Sequence, residues 1–286
     1  MKHTDFVEVD GVRMRVSIEG AGQGRPLLLL NGIGAGLELF APFRSHLPGV
    51  ETIAVDIPGT GGSPATALPM RLCGFARLLV RLLDVLGYRS VDVLGISWGG
   101  TLAQELAHRY PERVGRLVLV ATSPGMISLP GKLRALLVMA TPRRYYSPTY
   151  FEKVAPILYG GAARDRPELL RDQGHLRFIR PPSVRGYLWQ IAAVTGWTSL
   201  PWLHKLRMPV LVMAGDDDPI IPLANAKLIA WRLPDATLEV VRGGGHIFLL
   251  THAETVAPRI AAFLREDRKA PVQEEPIRLR RSRSSG

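Results

Sequence analysis

Residues 91–99 read Val-Asp-Val-Leu-Gly-Ile-Ser-Trp-Gly, a short apolar run followed by a Gly-x-Ser-x-Gly motif. The run at 91–94 predicts a buried strand, and apolar spacing after the motif predicts a helix over 99–109. A serine on such a strand–turn–helix is typical of a nucleophile elbow, where the hydroxyl projects above the sheet edge. Because the turn is tight, we expect a Cβ at Gly95 or Gly99 to collide with neighbouring backbone. A chance Gly-Ser-Gly turn is the alternative, and the strand–helix context favours the functional interpretation.

Strands and helices alternate on both sides of this motif. The alternation predicts an α/β fold, with a mostly parallel central sheet that helices cover on both faces. Thr251, three residues before Glu254, is predicted to cap the last helix. The predicted strands are 6–9, 12–18, 26–30, 52–55, 91–94, 116–121, 210–214 and 237–241, and the predicted helices are 72–86, 99–109, 223–231 and 254–266.

The alternation stops between residues 125 and 207. This segment is rich in proline and carries short helical patches rather than strands. Since strand–helix alternation resumes afterwards, we interpret 125–207 as a helical cap inserted between two strands of one core, formed by 1–124 and 208–266. Residues 267–286 are rich in Pro, Arg and Ser, and a disordered basic tail is expected there.

Composition bounds the class of protein. The 286 residues are 47% hydrophobic, which excludes a disordered chain, and no apolar run is long enough to cross a bilayer. The single cysteine, Cys73, cannot form an internal disulfide, so a reducing cytoplasm is the expected compartment. The net charge of +11 raises nucleic acid as a partner, but 13 basic and only 4 acidic residues lie in the cap. No recognised nucleic-acid module surrounds them, so a solvated surface is the first interpretation of the charge, a patch that docks on an anionic or amphiphilic surface the second, and nucleic-acid binding the last.

A serine hydroxyl needs a base, and the base needs an orienting acid. Folds with this elbow place the acid and then the histidine after the serine, and His246, in the loop after the last strand, fits that order. His252 also comes late enough, but it falls in the predicted last helix. The acid is expected in the loop Asp216-Asp217-Asp218, directly after a strand. Spacing does not choose among the three, although the turn at Pro219 favours Asp218.

An oxyanion hole completes this chemistry. One donor is expected to be the backbone N–H of Trp98, and the other the N–H of Ile33 in the glycine-rich loop 31–36. This loop lacks the Gly-Lys-Ser/Thr of a phosphate-binding loop and the Gly-x-Gly-x-x-Gly of a dinucleotide site. The predicted mechanism therefore requires no metal and no organic cofactor.

Over residues 5–266 the chain resembles the α/β-hydrolase family, and within it the intracellular depolymerases of medium-chain-length poly(3-hydroxyalkanoates). The resemblance implies a triad of Ser97, Asp218 and His246, and it implies hydrolysis of polyester bonds through an acyl-enzyme. The stretches that carry it are 31–35, 37–39, 97–100, 142–145, 159–161, 202–205, 214–222 and 230–232.

Apolar side chains in the cap suit an aliphatic acyl substrate. The candidate substrate contacts are Asn31, Gly32, Trp189, Trp197 and Trp202, although a single cap aromatic more often packs the cap onto the core. A polymer granule is the expected partner, and the oligomeric state stays open. The alternatives are a carboxylesterase, lipase-like or C–C bond hydrolase for a small hydrophobic substrate, and a granule-binding protein without activity.

Overall fold

A computed structural model describes residues 2–20, 24–47 and 49–266. Eight strands form one sheet in the spatial order β1-β2-β4-β3-β5-β6-β7-β8. The first two strands form an antiparallel hairpin, β2 pairs with β4 antiparallel, and all other pairs are parallel. The strands are β1 (Lys2–Val9), β2 (Val12–Glu19), β3 (Leu27–Leu30), β4 (Thr52–Val55), β5 (Val91–Ile96), β6 (Val114–Val120), β7 (Val210–Gly215) and β8 (Ala236–Val241).

Helices follow most of the parallel strands and cover the sheet. The α-helices are α1 (Ala41–Ser45), α2 (Leu72–Val85), α3 (Trp98–Arg109), α4 (Leu133–Met139), α5 (Pro148–Tyr159), α6 (Gly161–Asp165), α7 (Glu168–Gly174), α8 (Leu176–Ile179), α9 (Val184–Val194), α10 (Leu223–Arg232), α11 (Phe248–Thr251) and α12 (Ala253–Arg265). Single 3-10 turns form at Leu37–Phe40, Pro111–Arg113, Arg143–Tyr145 and Leu203–Lys205. No helix in the described part of the chain has the length and apolar character that a bilayer crossing needs.

The central strands of the sheet carry apolar side chains on both faces, and both faces are buried. Leu28 and Leu30 of β3 belong to one core cluster, whereas Leu27 and Leu29 belong to the other. Successive side chains of a strand point to opposite faces, so one run of four leucines supplies both cores. The predicted α/β fold with a mostly parallel sheet is confirmed.

The predicted cap, 125–207, contains α4 to α9 and lies between β6 and β7 in the chain. Gly125 and Thr198, near its two ends, form an isolated bridge pair. A separate cluster of buried side chains lies mainly within this segment and includes Phe151, Leu158 and Tyr159. The helical segment therefore has a hydrophobic cluster of its own. It begins after the end of β6.

The start of the last helix differs from the prediction. The capping box at Thr251 is wrong, because Thr251 ends α11 and His252 stands at the N-cap of α12 without a side-chain cap hydrogen bond. The Thr251 hydroxyl instead contacts His252 Nδ1 at 2.9 Å. The predicted basic tail, 267–286, lies outside the described residues.

Candidate active site

The turn between β5 and α3 holds Ser97 in a strained conformation. Its φ of 53° and ψ of −116° lie outside the regions that non-glycine residues usually adopt. A Cβ on Gly95 would lie 2.3 Å from the carbonyl oxygen of Gly99, and one on Gly99 would lie 2.1 Å from that of Leu30. The predicted collisions are confirmed, and they explain why both flanking positions are glycine.

Three side chains meet at the carboxyl edge of the sheet. His246 Nε2 lies 3.0 Å from Ser97 Oγ, and His246 Nδ1 lies 2.7 Å from Asp218 Oδ2. Asp218 Oδ1 accepts the N–H groups of Ile220 and Ile221 at 2.8 and 2.9 Å, so both carboxylate oxygens are engaged. This arrangement suits an imidazole that donates Nδ1–H to the carboxylate and accepts the serine proton at Nε2.

The other two acids of the loop after β7 have different partners. Asp216 Oδ1 accepts the N–H of Gly243 at 2.8 Å. Asp217 Oδ2 accepts the N–H of Gly161 at 2.9 Å and pairs with Arg164 at 2.8 Å. Of the three carboxylates, the structure brings only Asp218 to His246.

The loop after β3 lies against Ser97. A Cβ built on Gly32 would stand 3.6 Å from Ser97 Cβ, which is ordinary van der Waals contact. Within the described residues, the N–H groups of Ile33 and Trp98 donate to no protein acceptor. Two unengaged backbone donors beside a nucleophile can stabilise the oxyanion of a tetrahedral intermediate.

Hydrogen bonds from the loop itself and from the cap fix the shape of this loop. Asn31, predicted as a substrate contact, donates from Nδ2 to the carbonyl oxygen of Gly36 and accepts the Gly32 N–H, each at 2.9 Å. Gln190 Oε1 of α9 accepts the Gly34 N–H at 2.8 Å. The Tyr145 hydroxyl donates to the carbonyl oxygen of Ile33 at 2.7 Å.

Ser97 and His246 line a cavity of about 50 Å³. The core contributes Asn31, Gly32 and Ile33 to its lining, and the cap contributes Met139, Arg144, Tyr145, Tyr159 and Arg177. Drug-sized ligands occupy pockets of roughly 300–1,000 Å³. The cap residues therefore lie over the nucleophile and leave little free volume beside it.

The three candidate tryptophans do not line this cavity, and their contact with substrate stays a prediction. Trp189 Nε1 donates to the carbonyl oxygen of Thr66 at 3.2 Å, and Trp197 Nε1 donates to Glu105 Oε2 at 2.8 Å. The Trp202 ring stacks on His108 with centroids 4.1 Å apart. Each indole thus attaches the cap to the core, because large aromatic rings serve packing as readily as ligand binding.

Two tyrosines beside the cavity remain neutral donors. Burial raises the pKa of Tyr187 to about 12 and also raises the pKa of Tyr145. Sequence reasoning did not select Arg144, Tyr145, Tyr159, Arg177 or Gln190 as site residues. Arg144 and Tyr145 stand in the stretch 142–145 that carries the family resemblance, and that stretch was the available signal.

The sheet, the strained serine and its contact with His246 define a hydrolase-type α/β scaffold with a serine at the nucleophile position. The chain belongs to the family described as alpha/beta hydrolase fold, whose model matches residues 25–253. The family expected from the sequence is thereby confirmed.

Curated relatives and solved structures show which proteins of this fold the chain is similar to. The chain is 49% identical to a poly(3-hydroxyalkanoate) depolymerase of Ectopseudomonas oleovorans over 93% of this chain and 94% of that protein. It is 32% identical to a pimeloyl-[acyl-carrier protein] methyl ester esterase of Aromatoleum aromaticum, over 84% of this chain and 98% of that protein. Among solved structures, an enol-lactonase from Burkholderia xenovorans matches with a TM-score of 0.78 at 20% identity, covering 92% of this chain and all of that one.

Proposed function

We propose that this chain is a serine hydrolase that cleaves the ester bonds of poly(3-hydroxyalkanoate), with medium-length side chains preferred. The contact chain from Ser97 through His246 to Asp218 carries the proposal. The 49% identity to a poly(3-hydroxyalkanoate) depolymerase over nearly the whole chain supports the choice of substrate.

In the proposed mechanism, His246 takes the Ser97 proton as Oγ attacks the ester carbonyl carbon. The N–H groups of Ile33 and Trp98 hold the oxyanion, while Asp218 stabilises the imidazolium. Collapse of the intermediate breaks the ester C–O bond, and His246 returns the proton to the leaving alcohol. Water, activated by the same histidine, then hydrolyses the acyl-enzyme. These steps involve no metal and no organic cofactor.

A substrate panel tests this function. Purified enzyme is assayed on polyesters of 3-hydroxybutyrate and of 3-hydroxyoctanoate, and on p-nitrophenyl octanoate. We expect faster release from the medium-chain polymer, loss of all activity in Ser97→Ala, and full activity in the exposed control Ser45→Ala. Equal activity in the two variants would contradict the assignment of Ser97.

The alternative is an esterase or C–C bond hydrolase acting on a small hydrophobic molecule. The small volume of the closed cavity, about 50 Å³, favours it. Activity on p-nitrophenyl esters without release from polymer would support this alternative. A granule-binding protein without activity would hydrolyse neither polymer nor p-nitrophenyl ester and would fail to react with a fluorophosphonate probe.

Docking on a granule is proposed to involve an exposed face of the cap. Leu133 and Leu137 of α4 are 71% and 64% exposed, and the bases Lys132 and Arg134 lie beside them, also exposed. Such a mixed face suits an amphiphilic surface. Arg143 is exposed as well, whereas Arg144 is 2% exposed and cannot contribute to this face. A cytoplasmic location follows from this proposal.

Co-sedimentation with polymer granules tests the docking face. We expect Leu133→Ser/Leu137→Ser to lower granule binding, and Arg134→Glu/Arg143→Glu to lower it further at low salt. Granule binding that neither variant nor salt changes would contradict the proposal that this face docks on the granule.

A further inference from the structure

Two buried arginines of the cap line the cavity that holds the nucleophile. Arg144 is 2% exposed and Arg177 is 6% exposed, and both share this lining with Ser97 and His246. Taking a guanidinium out of water costs several kcal/mol unless a partner compensates. The partners of these two cations therefore decide what the cavity can hold.

Other buried arginines of this chain have carboxylate partners. Arg15 contacts Glu38 at 2.6 Å and Asp56 at 2.8 Å, and Arg44 contacts Glu19 at 2.8 Å. Among the side chains that the structure describes, no carboxylate pairs with Arg144 or Arg177. Arg144 and Arg177 thus differ from Arg15 and Arg44, whose guanidinium groups pair with carboxylates.

Neutral and aromatic groups surround the two guanidinium groups. Arg144 Nη1 donates to the Tyr187 hydroxyl at 2.8 Å, and Arg177 Nη1 donates to the Tyr159 hydroxyl at 2.8 Å. The Tyr145 ring centroid lies 4.6 Å from Cζ of Arg144 and 5.2 Å from Cζ of Arg177. Ring faces offset part of the cost of burial, but among the described side chains they leave the two like charges without a carboxylate counter-ion.

The position of these charges matches one part of the proposed substrate. Arg144 Nη2 lies 3.5 Å from the carbonyl oxygen of Ile33, the residue whose N–H is the proposed oxyanion donor. At the carboxyl end of a 3-hydroxyalkanoate chain, the free carboxylate is joined to the last ester carbonyl through an oxygen and two carbons. That path spans about 5 Å when extended, so residues that line one cavity can contact both the carboxylate and the ester carbonyl.

We infer that Arg144 and Arg177 bind the terminal carboxylate of the polyester chain, so that the enzyme removes one 3-hydroxy acid at a time from the carboxyl end. This inference rests on the proposed function. Ser97 Oγ forms a bond to the last ester carbonyl carbon, and the bond from that carbon to the alkoxy oxygen breaks. His246 gives the serine proton to the alkoxide, so the released unit is a 3-hydroxyalkanoate with its carboxylate between the arginines. Water then frees the shortened chain, which carries a new terminal carboxylate.

Two matched dimers of 3-hydroxyoctanoate test the inference, one with a free terminal carboxylate and one blocked as its methyl ester. Wild-type enzyme is expected to favour the free acid. Loss of a charge-assisted hydrogen bond in Arg177→Gln is expected to lower kcat/KM for the acid by about 10- to 100-fold. The methyl ester should change less than about threefold, because it offers no charge to lose. Arg177→Lys should restore part of the preference, and Arg185→Gln, at an exposed cap arginine outside the cavity lining, is the matched control.

A binding measurement separates failure of this inference from failure of the proposed function. We expect 3-hydroxyoctanoate to raise the Tm of Ser97→Ala and to leave Ser97→Ala/Arg177→Gln unchanged. Equal cleavage of both dimers by wild type, with equal losses in Arg177→Gln, overturns the carboxylate site and leaves the esterase function standing. Cleavage of neither dimer overturns the polyester function, and the thermal shift then decides the carboxylate site independently. Since Arg144 variants disturb the Ile33 loop as well, Arg177 carries the test.

Discussion

The hydroxyl of Tyr145 provides a test of how the cap completes the oxyanion hole. Tyr145→Phe removes the 2.7 Å hydrogen bond to the carbonyl oxygen of Ile33 but keeps the ring beside Arg144. Within the described part of the chain, the Ile33 carbonyl then retains the weak 3.5 Å contact with Arg144. Because the hydrogen bond is buried, its loss is expected to cost about 1–2 kcal/mol. That cost falls on the peptide that follows the proposed oxyanion donor.

If the loss appears mainly in the transition state, kcat falls by about 5- to 30-fold. This is less than the 10² to 10³-fold, roughly, that follows complete removal of an oxyanion donor. The assay is steady-state hydrolysis of p-nitrophenyl octanoate, with kcat and KM determined separately. KM should stay within about threefold, because the Tyr145 ring that lines the cavity is kept and only the hydroxyl bonded to Ile33 is lost.

Tyr146→Phe is the matched control for this experiment. Its hydroxyl donates to the carbonyl oxygen of Pro182, on the partly exposed side of the cap. We expect it to keep the wild-type kcat. Equal kcat values for wild type, Tyr145→Phe and Tyr146→Phe would refute the reasoning that the cap orients the Ile33 peptide.

Three further predictions address the site, the cap and the core. Asp218→Asn leaves His246 without its charged partner, and kcat on the soluble ester should fall by about 10⁴-fold with unchanged far-UV circular dichroism; a loss below tenfold would contradict the role of Asp218. Trp197→Phe removes a 2.8 Å hydrogen bond to Glu105, so the free energy of unfolding in urea should fall by about 1–3 kcal/mol. We expect kcat to stay near the wild-type value. A fall in kcat without a loss of stability would indicate that Trp197 contacts the substrate. Burial raises the pKa of Asp56 to about 6 from an ordinary 3.8, so the folded state binds this proton more tightly than the unfolded state. Relative to Asp56→Asn, wild-type stability in urea should therefore decline by up to about 3 kcal/mol between pH 4 and 7, and a rise over that range would contradict the prediction.

The core of the site could be predicted because its signals are local. Ser97 lies in a motif that strand and helix patterns frame, and His246 follows from chain order and a loop after the last strand. The choice of Asp218 required the family resemblance, because three adjacent acids share the same loop. The structure separates them by their partners, Gly243 for Asp216 and Gly161 with Arg164 for Asp217.

The contribution of the cap could not be predicted in the same way. Gln190 reaches Gly34 across 156 positions of sequence, and Arg144 reaches Ile33 across 111. No periodicity or motif encodes such contacts, since they depend on how the cap helices pack onto the core. The tryptophans were selected for their aromatic character, which does not distinguish a ring that packs from one that binds.

Release of monomers from polymer granules shows whether Ser97 cleaves the polyester. Granules of medium-chain-length poly(3-hydroxyalkanoate) are incubated with wild type or Ser97→Ala, and free 3-hydroxy acids are measured by chromatography. We expect steady release by wild type and none above background by Ser97→Ala. Equal release by both, or no release by a wild-type enzyme that a fluorophosphonate labels at Ser97, would contradict this expectation.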